Sequence, residues 1–305
     1  METVMILVRQ ILQMFLLAGI GFMLFRCGKI TREGSRTIGN ILIYVSLPAV
    51  IINGFLVERT AGHVYGLLGS AAASFVLLLV SVLVSHFVFR KDSVGAFASS
   101  FSNPGFFGIP LVIAALGEGA VFYAAPFIAL LNIGQWTYGV SRLNGQPVLQ
   151  GLQPKKLIRA PFVIALLAGI LLFAFQPPLP EIIRGGLSTV AGLNTPLAMF
   201  TVGIYLAQTD LPGMLKRKSL GLISLIRLLV IPLAALLLLW MLPESMREMR
   251  TVLLICAACP VGSNVAVYAQ LYGKDYPYAV ETVVLSTVLS LASIPLIMYL
   301  ASLIW

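Results

Sequence analysis

Residues 92–119 read DSVGAFASSFSNPGFFGIPLVIAALGEG. The stretch is apolar enough to enter a bilayer, yet Asn103-Pro104-Gly105, then Gly108 and Pro110, interrupt it near its middle. Proline removes a backbone donor and its ring collides with the preceding turn, while glycine adds backbone freedom, so a continuous helix is not expected here. Counted from Asp92 at about 1.5 Å per residue, Asn103 falls roughly 16 Å along, near the middle of a hydrocarbon core about 30 Å thick. Residues 251–275, TVLLICAACPVGSNVAVYAQLYGKD, carry a second break at Pro260–Asn264. Asn264 stands about 15 Å from Lys274 by the same count. Two apolar segments are thus interrupted at similar depth.

The rest of the chain frames these breaks. Of 305 residues, 59% are hydrophobic and 10% charged, and the mean hydropathy is +0.98. A soluble domain carries about 45–50% apolar and about 25% charged residues. Disordered, collagen-like and small disulfide-stapled classes are excluded by this composition. Charged or Pro/Gly-rich breaks divide the chain into ten apolar segments, at approximately 4–25, 37–57, 64–89, 94–116, 120–141, 157–176, 182–208, 219–242, 251–272 and 277–304. They are far longer than a membrane β-strand of about ten residues and do not alternate. The expected class is an all-α polytopic membrane protein. Arg9 precedes the first apolar run, but the run ends in Arg26 without a small-residue cleavage site, so it reads as a transmembrane helix and not a signal peptide.

The net charge of +9 could indicate nucleic acid or membrane orientation. Fourteen of the twenty Lys and Arg residues fall in one alternate set of loops, from Arg26 to Lys274, against Arg59, Arg184, Arg247 and Arg250 in the other. The basic set marks the cytoplasmic side, which puts both termini outside the cytoplasm. No nucleic-acid partner is expected. The longest break, Ser141–Arg159, separates a first five-helix repeat at 1–145 from a second at 157–305, with a cytoplasmic connecting loop at 146–156. An odd number of spans per half makes the halves inverted relative to each other. The pairs Pro104/Gly117 and Pro260/Gly273 share one spacing, and Pro48/Gly54 has a near counterpart in Pro196/Gly203.

Backbone groups freed at the breaks cannot face lipid, so they are buried in protein or line a cavity. The half-helix after each break presents its positive N-terminal end toward the midplane. Asn103, Ser263 and Asn264 add side-chain donors and acceptors beside Pro104, Gly105, Pro260 and Gly262. Such a site suits a small anion, with a carboxylate the natural occupant. Prolines and glycines also simply kink membrane helices, but a matched pair at corresponding positions favours the site.

The stretches SNPGFFGIPL (102–111), CPVGSNVAVYAQLYGKD (259–275) and LSTVLSLASIPL (285–296) resemble the auxin efflux carrier family over essentially the whole chain. Plant PIN-type carriers and bacterial malate and malonate permeases belong to that family, and the short middle loop is like that of the bacterial members. The resemblance implies two inverted five-helix repeats with segments four and nine crossing at the substrate site. It further implies a scaffold of segments one, two, six and seven, often dimeric, against which the other segments move as an elevator. This chain has SNPG where the plant proteins have an LPN pattern, so Asn103 aligns only with GIPL as anchor.

Ionisable groups at depth usually face the interior and pair. Arg227 and Glu281 lie roughly 13 Å and 9 Å along their segments from the cytoplasmic side, and His86 precedes Arg90 by one turn. An Arg227–Glu281 pair with His86 as proton-responsive neighbour is expected, with snorkelling of Arg227 and His86 as the alternative. Asn132 and Gln135 could line the same cavity or bond between helices. Asn40, Asn53, Asn194 and Thr195 read as packing residues. Cys256-x-x-Cys259 lies in an apolar run with no further ligands nearby and reads as packing, so no metal site is expected. No phosphate loop, dinucleotide fingerprint or hydrolase motif occurs, and neither a cofactor nor an enzymatic activity is expected. The expected function is elevator-type secondary transport of a small organic anion across the cell inner membrane. An anion channel or a substrate-sensing receptor on the same scaffold is the alternative. The coupling ion is left open between H⁺ and Na⁺.

Overall fold

In the computed structural model the described residues are 2–145 and 159–305. The connecting loop expected at 146–156 lies outside them. The described residues form helices α1 (Glu2–Arg26), α2 (Arg32–Gly54), α3 (Ala61–Val88), α4 (Ser93–Ser100), α5 (Pro104–Leu116), α6 (Glu118–Asn144) and α7 (Pro161–Phe175). They continue with α8 (Glu181–Gln208), α9 (Leu211–Lys216), α10 (Lys218–Trp240), α11 (Arg247–Ala258), α12 (Asn264–Leu271) and α13 (Tyr276–Ile304). Seven of these, α1, α2, α3, α6, α8, α10 and α13, are long and apolar enough to cross a membrane. With this all-helical build, the chain is a polytopic membrane protein. The apolar helix α7 has 15 residues, about 22 Å of rise.

Local sequence explains where helices begin and bend. Thr31, Thr60, Asp92 and Asp275 each accept a backbone N–H with the side chain at a helix start. Two prolines inside long spans are taken up by widened turns. The turns Leu42–Ser46 and Ile226–Val230 precede Pro48 and Pro232, and the residue before each proline bonds five residues back. That extra residue per turn relieves the collision between the ring and the preceding turn. Gly117 ends α5 at φ 88° and Gly273 follows α12 at φ 64°, a left-handed conformation that favours glycine.

The helices pack as two groups. In the first, α1 runs along α8, and α2 packs on α7 and α8. The approach of α1 to α8 demands glycine: a Cβ on Gly203 would lie 1.9 Å from the Ala18 carbonyl oxygen. In the second group, α3 packs on α4 and α6, while α10, α11 and α12 pack against α13. At one end the groups meet in a tight seal. Phe122 of α6 stacks edge-on to Phe55 beside α2, at 5.1 Å between ring centroids, and lies 4.9 Å from Phe173 of α7. Asn53 donates to the Glu118 carboxylate at 2.9 Å across the same end.

Candidate functional site

The two interrupted segments meet. Between α4 and α5, and between α11 and α12, the chain is extended and the two stretches pair antiparallel at Ser102 and Val261. The Asn103 N–H donates to the Pro260 carbonyl at 2.9 Å, and the Gly262 N–H donates to the Phe101 carbonyl at 2.9 Å. Pro260 has no N–H of its own to satisfy, while its free carbonyl becomes the acceptor for Asn103. The Val261 N–H, which faces away from this pair, donates to Ser286 Oγ of α13 at 3.0 Å. The N–H groups of Asn103, Val261 and Gly262 are therefore satisfied by the other break and by a neighbouring helix, as burial favours. Gly262 is needed at the crossing, because a Cβ there would stand 2.8 Å from the Ser102 carbonyl oxygen.

Beyond the crossing, the two following helices differ. The first turn of α5, Pro104–Gly108, is widened, with Asn103 O accepting from the N–H groups of both Phe107 and Gly108. Asn103 is buried, and its side chain caps nothing in the helix that follows. Helix α12 starts regularly on Asn264, whose amide donates to Gln135 Oε1 of α6 at 2.8 Å. Gln135 is itself 1% exposed and sits in a widened turn of α6.

A cavity of about 810 Å³ lies between the two helix groups. Ser263, Asn264 and Phe106 line it at the crossing, Thr201, Tyr205 and Gln208 line it from α8, and Asn40 lines it from α2. Its charged lining is Arg32, Arg36, Asp210 and Glu281. This volume is within the range of small-molecule sites.

Several sequence expectations change here. Arg227 and Glu281 are not partners. Glu281 pairs with Arg217 at 3.0 Å, because Arg217 at the start of α10 reaches over the first turns of α13. Arg217 also lies over the ring of Tyr278, whose hydroxyl donates to Asp92 at 2.8 Å. Arg227 is buried and donates to the carbonyls of Ser99 and Ser100 at 3.2 and 3.3 Å, to Ser81 Oγ at 3.3 Å and to the Ala257 carbonyl. It snorkels nowhere. His86 lies 3.2 Å from the Tyr138 hydroxyl and has no place in that pair. Asn132 turns back on its own helix, donating to the Ile128 carbonyl at 2.7 Å, and does not line the cavity. Pro104, Gly105, Pro260 and Gly262 form the crossing and its flanks but do not line the cavity; of the expected site residues, Ser263, Asn264 and Glu281 do. Asn194 has more than a packing role, donating to the Gly105 carbonyl at 3.1 Å from a buried position on α8. Ser286 lacked any expectation. Its signal was the four-residue spacing of Thr282, Ser286 and Ser290 along α13, all fully buried.

An all-helical membrane protein with a polar cavity between two helix groups, reaching two interrupted helices, has the build of a solute transporter. The chain belongs to the membrane transport protein family, whose sequence profile matches residues 6–153 and 148–298. This is the auxin efflux carrier family that the two break motifs resemble. A relative from Rhizobium meliloti (strain 1021), named "Putative malonate transporter", is 24% identical over 308 residues, covering 95% of this chain and 94% of that protein.

Proposed function

We propose that this membrane transporter is a secondary carrier of a small organic anion, with a dicarboxylate such as malonate as the leading substrate. The observation that carries the reading is the cavity, which ends on Ser263 and Asn264 at the start of α12 and is walled by both helix groups. A carboxylate there meets the positive end of a half-helix and the Asn264 amide together. The malonate assignment of the Rhizobium relative points to the same substrate chemistry.

In this reading the pairs α4–α5 and α11–α12 each count as one broken span, and with α7 the chain has ten spans in two inverted repeats, 1–145 and 157–305. The basic loops lie on the cytoplasmic side of an inner membrane, both termini lie on the other, and the cavity opens inward past Arg32 and Arg36. Helices α1, α2, α7 and α8 form a scaffold, paired with that of a second copy. The other group slides along it as an elevator, which requires the Phe55–Phe122–Phe173 seal and the Asn53–Glu118 bond to open.

Counterflow in proteoliposomes tests the carrier directly. Vesicles preloaded with unlabelled malonate are expected to take up labelled malonate faster than empty vesicles, with saturation. Uptake that is linear in concentration and indifferent to the preload would replace the carrier by a channel.

A further inference from the structure

Arg227 is a buried ionised group for which the transport cycle above has no use. It is 2% exposed, and among the described residues no carboxylate lies within ion-pair reach of it. The equally buried Arg250, by contrast, pairs with Glu244 at 3.2 Å. An unpaired buried cation is costly unless the surroundings supply negative potential. What faces Arg227 is a set of carbonyls: Ser99 and Ser100 end α4, and Ala257 stands at the last turn of α11. Ser81 of α3 completes the shell, bonding the guanidinium and also donating to the Ser100 carbonyl at 2.7 Å. Leu77, Leu78, Phe127 and Ile231 surround the rest. One guanidinium thus joins the C-terminal ends of both first half-helices, immediately before the chain crosses.

The charges balance. Each helix C-terminus carries about −0.5 elementary charge and each N-terminus about +0.5. The two C-terminal ends sum to about −1 and are cancelled by Arg227, leaving the N-terminal ends of α5 and α12 with about +1 unopposed at the crossing. Without a cation in this place, the negative ends, a few residues away, would offset most of the attraction for an anion. The charged lining of the cavity supplies no substitute: Arg32 and Arg36 stand against Asp210 and Glu281, and Glu281 is already paired with Arg217.

We infer that Arg227 is a positioning residue that fixes the two half-helix ends and, by cancelling their negative charge, makes the crossing an anion site. The inference rests on the proposed carrier function. Its sharpest consequence separates affinity from turnover. Arg227→Met removes the charge, and Arg227→Lys keeps the charge and three donors but gives up the planar fork.

The full-length protein in proteoliposomes is assayed with labelled malonate, after size-exclusion chromatography shows each variant monodisperse. Arg227→Met is expected to raise KM by about tenfold while Vmax stays within about threefold, and Arg227→Lys to keep KM within about threefold of the parent. A KM for Arg227→Met within twofold of the parent overturns the inference, as does a monodisperse Arg227→Lys with the same KM defect as Arg227→Met. Where Arg227→Met fails to fold, Arg227→Lys alone decides by the same KM limit. A parent protein that carries no carboxylate overturns the carrier reading itself, and this inference with it.

Discussion

The two breaks occupy corresponding places in the sequence but do different work. The first, at Phe101–Gly105, is held almost wholly through backbone: Asn103 donates to Pro260, accepts from Phe107 and Gly108, and leaves its side chain out of the cavity. The second, at Cys259–Asn264, is the more crowded and the more exposed to the cavity. Gly262 fits between carbonyls where a Cβ does not, and Ser263 and Asn264 face the cavity while Asn264 is braced by Gln135. Approximate symmetry of backbone therefore coexists with asymmetry of chemistry. One break supports, and the other presents.

The largest expected effect tests the crowding. Gly262→Ala drives a methyl into the Ser102 carbonyl and is expected to cost about 1–3 kcal/mol, seen as a lowered thermal unfolding midpoint. The matching change at the first break, Gly105→Ala, meets only the Leu47 methyls at 3.4 and 3.6 Å and is expected to stay within about 0.5 kcal/mol. Equal effects at both positions would erase the distinction.

The next effect concerns binding. Asn264→Ala removes a donor at the cavity wall and is expected to raise the KM for malonate about tenfold, whereas Asn103→Ala is expected to change it less than about threefold. If Asn103→Ala gives the larger change, the first break is the presenting one. Gln135→Leu follows as a smaller, indirect version: it leaves Asn264 in place but unbraced, and a KM rise of about threefold is expected. No change would reduce the Gln135 contact to packing.

The breaks were legible in sequence because Pro and Gly act locally and depth can be counted along a helix. That the two breaks meet, with the Asn103 N–H on the Pro260 carbonyl and the Gly262 N–H on the Phe101 carbonyl, is implied by the family resemblance and not by the Pro and Gly pattern itself. Partner choice was not legible. Arg227 and Glu281 have similar computed depth along their segments, and depth alone pairs them; rotation about the helix axis sends Arg227 to the carbonyls of Ser99, Ser100 and Ala257 and brings Arg217 to Glu281. Asn132 and Gln135 differ by three residues on one helix, and residue type alone does not tell that Gln135 meets Asn264 while Asn132 turns back to the Ile128 carbonyl. A carbonyl acceptor leaves no mark on residue type. Hence the sequence carried no sign that two helix ends could stand in for a carboxylate.

The smallest expected effect lies at the Arg217–Glu281 pair on the cavity wall. The Arg217 side chain is 46% exposed, so solvent screens its pair with Glu281 and also takes over when the pair is broken. Glu281→Gln is therefore expected to lower stability by less than about 1 kcal/mol, within the usual range for a partly exposed pair. Its effect on transport is separable from that small loss. Glu281 is a titratable carboxylate on the cavity wall, carried on the same helix whose Ser286 holds the second break. If a proton accompanies the substrate, this is the group on the presenting side that can carry it, and uptake by Glu281→Gln is expected to lose its response to an imposed pH gradient while counterflow at equal pH persists. A variant that keeps the full pH response would leave the second break with substrate binding alone, and coupling would have to be sought elsewhere in the chain.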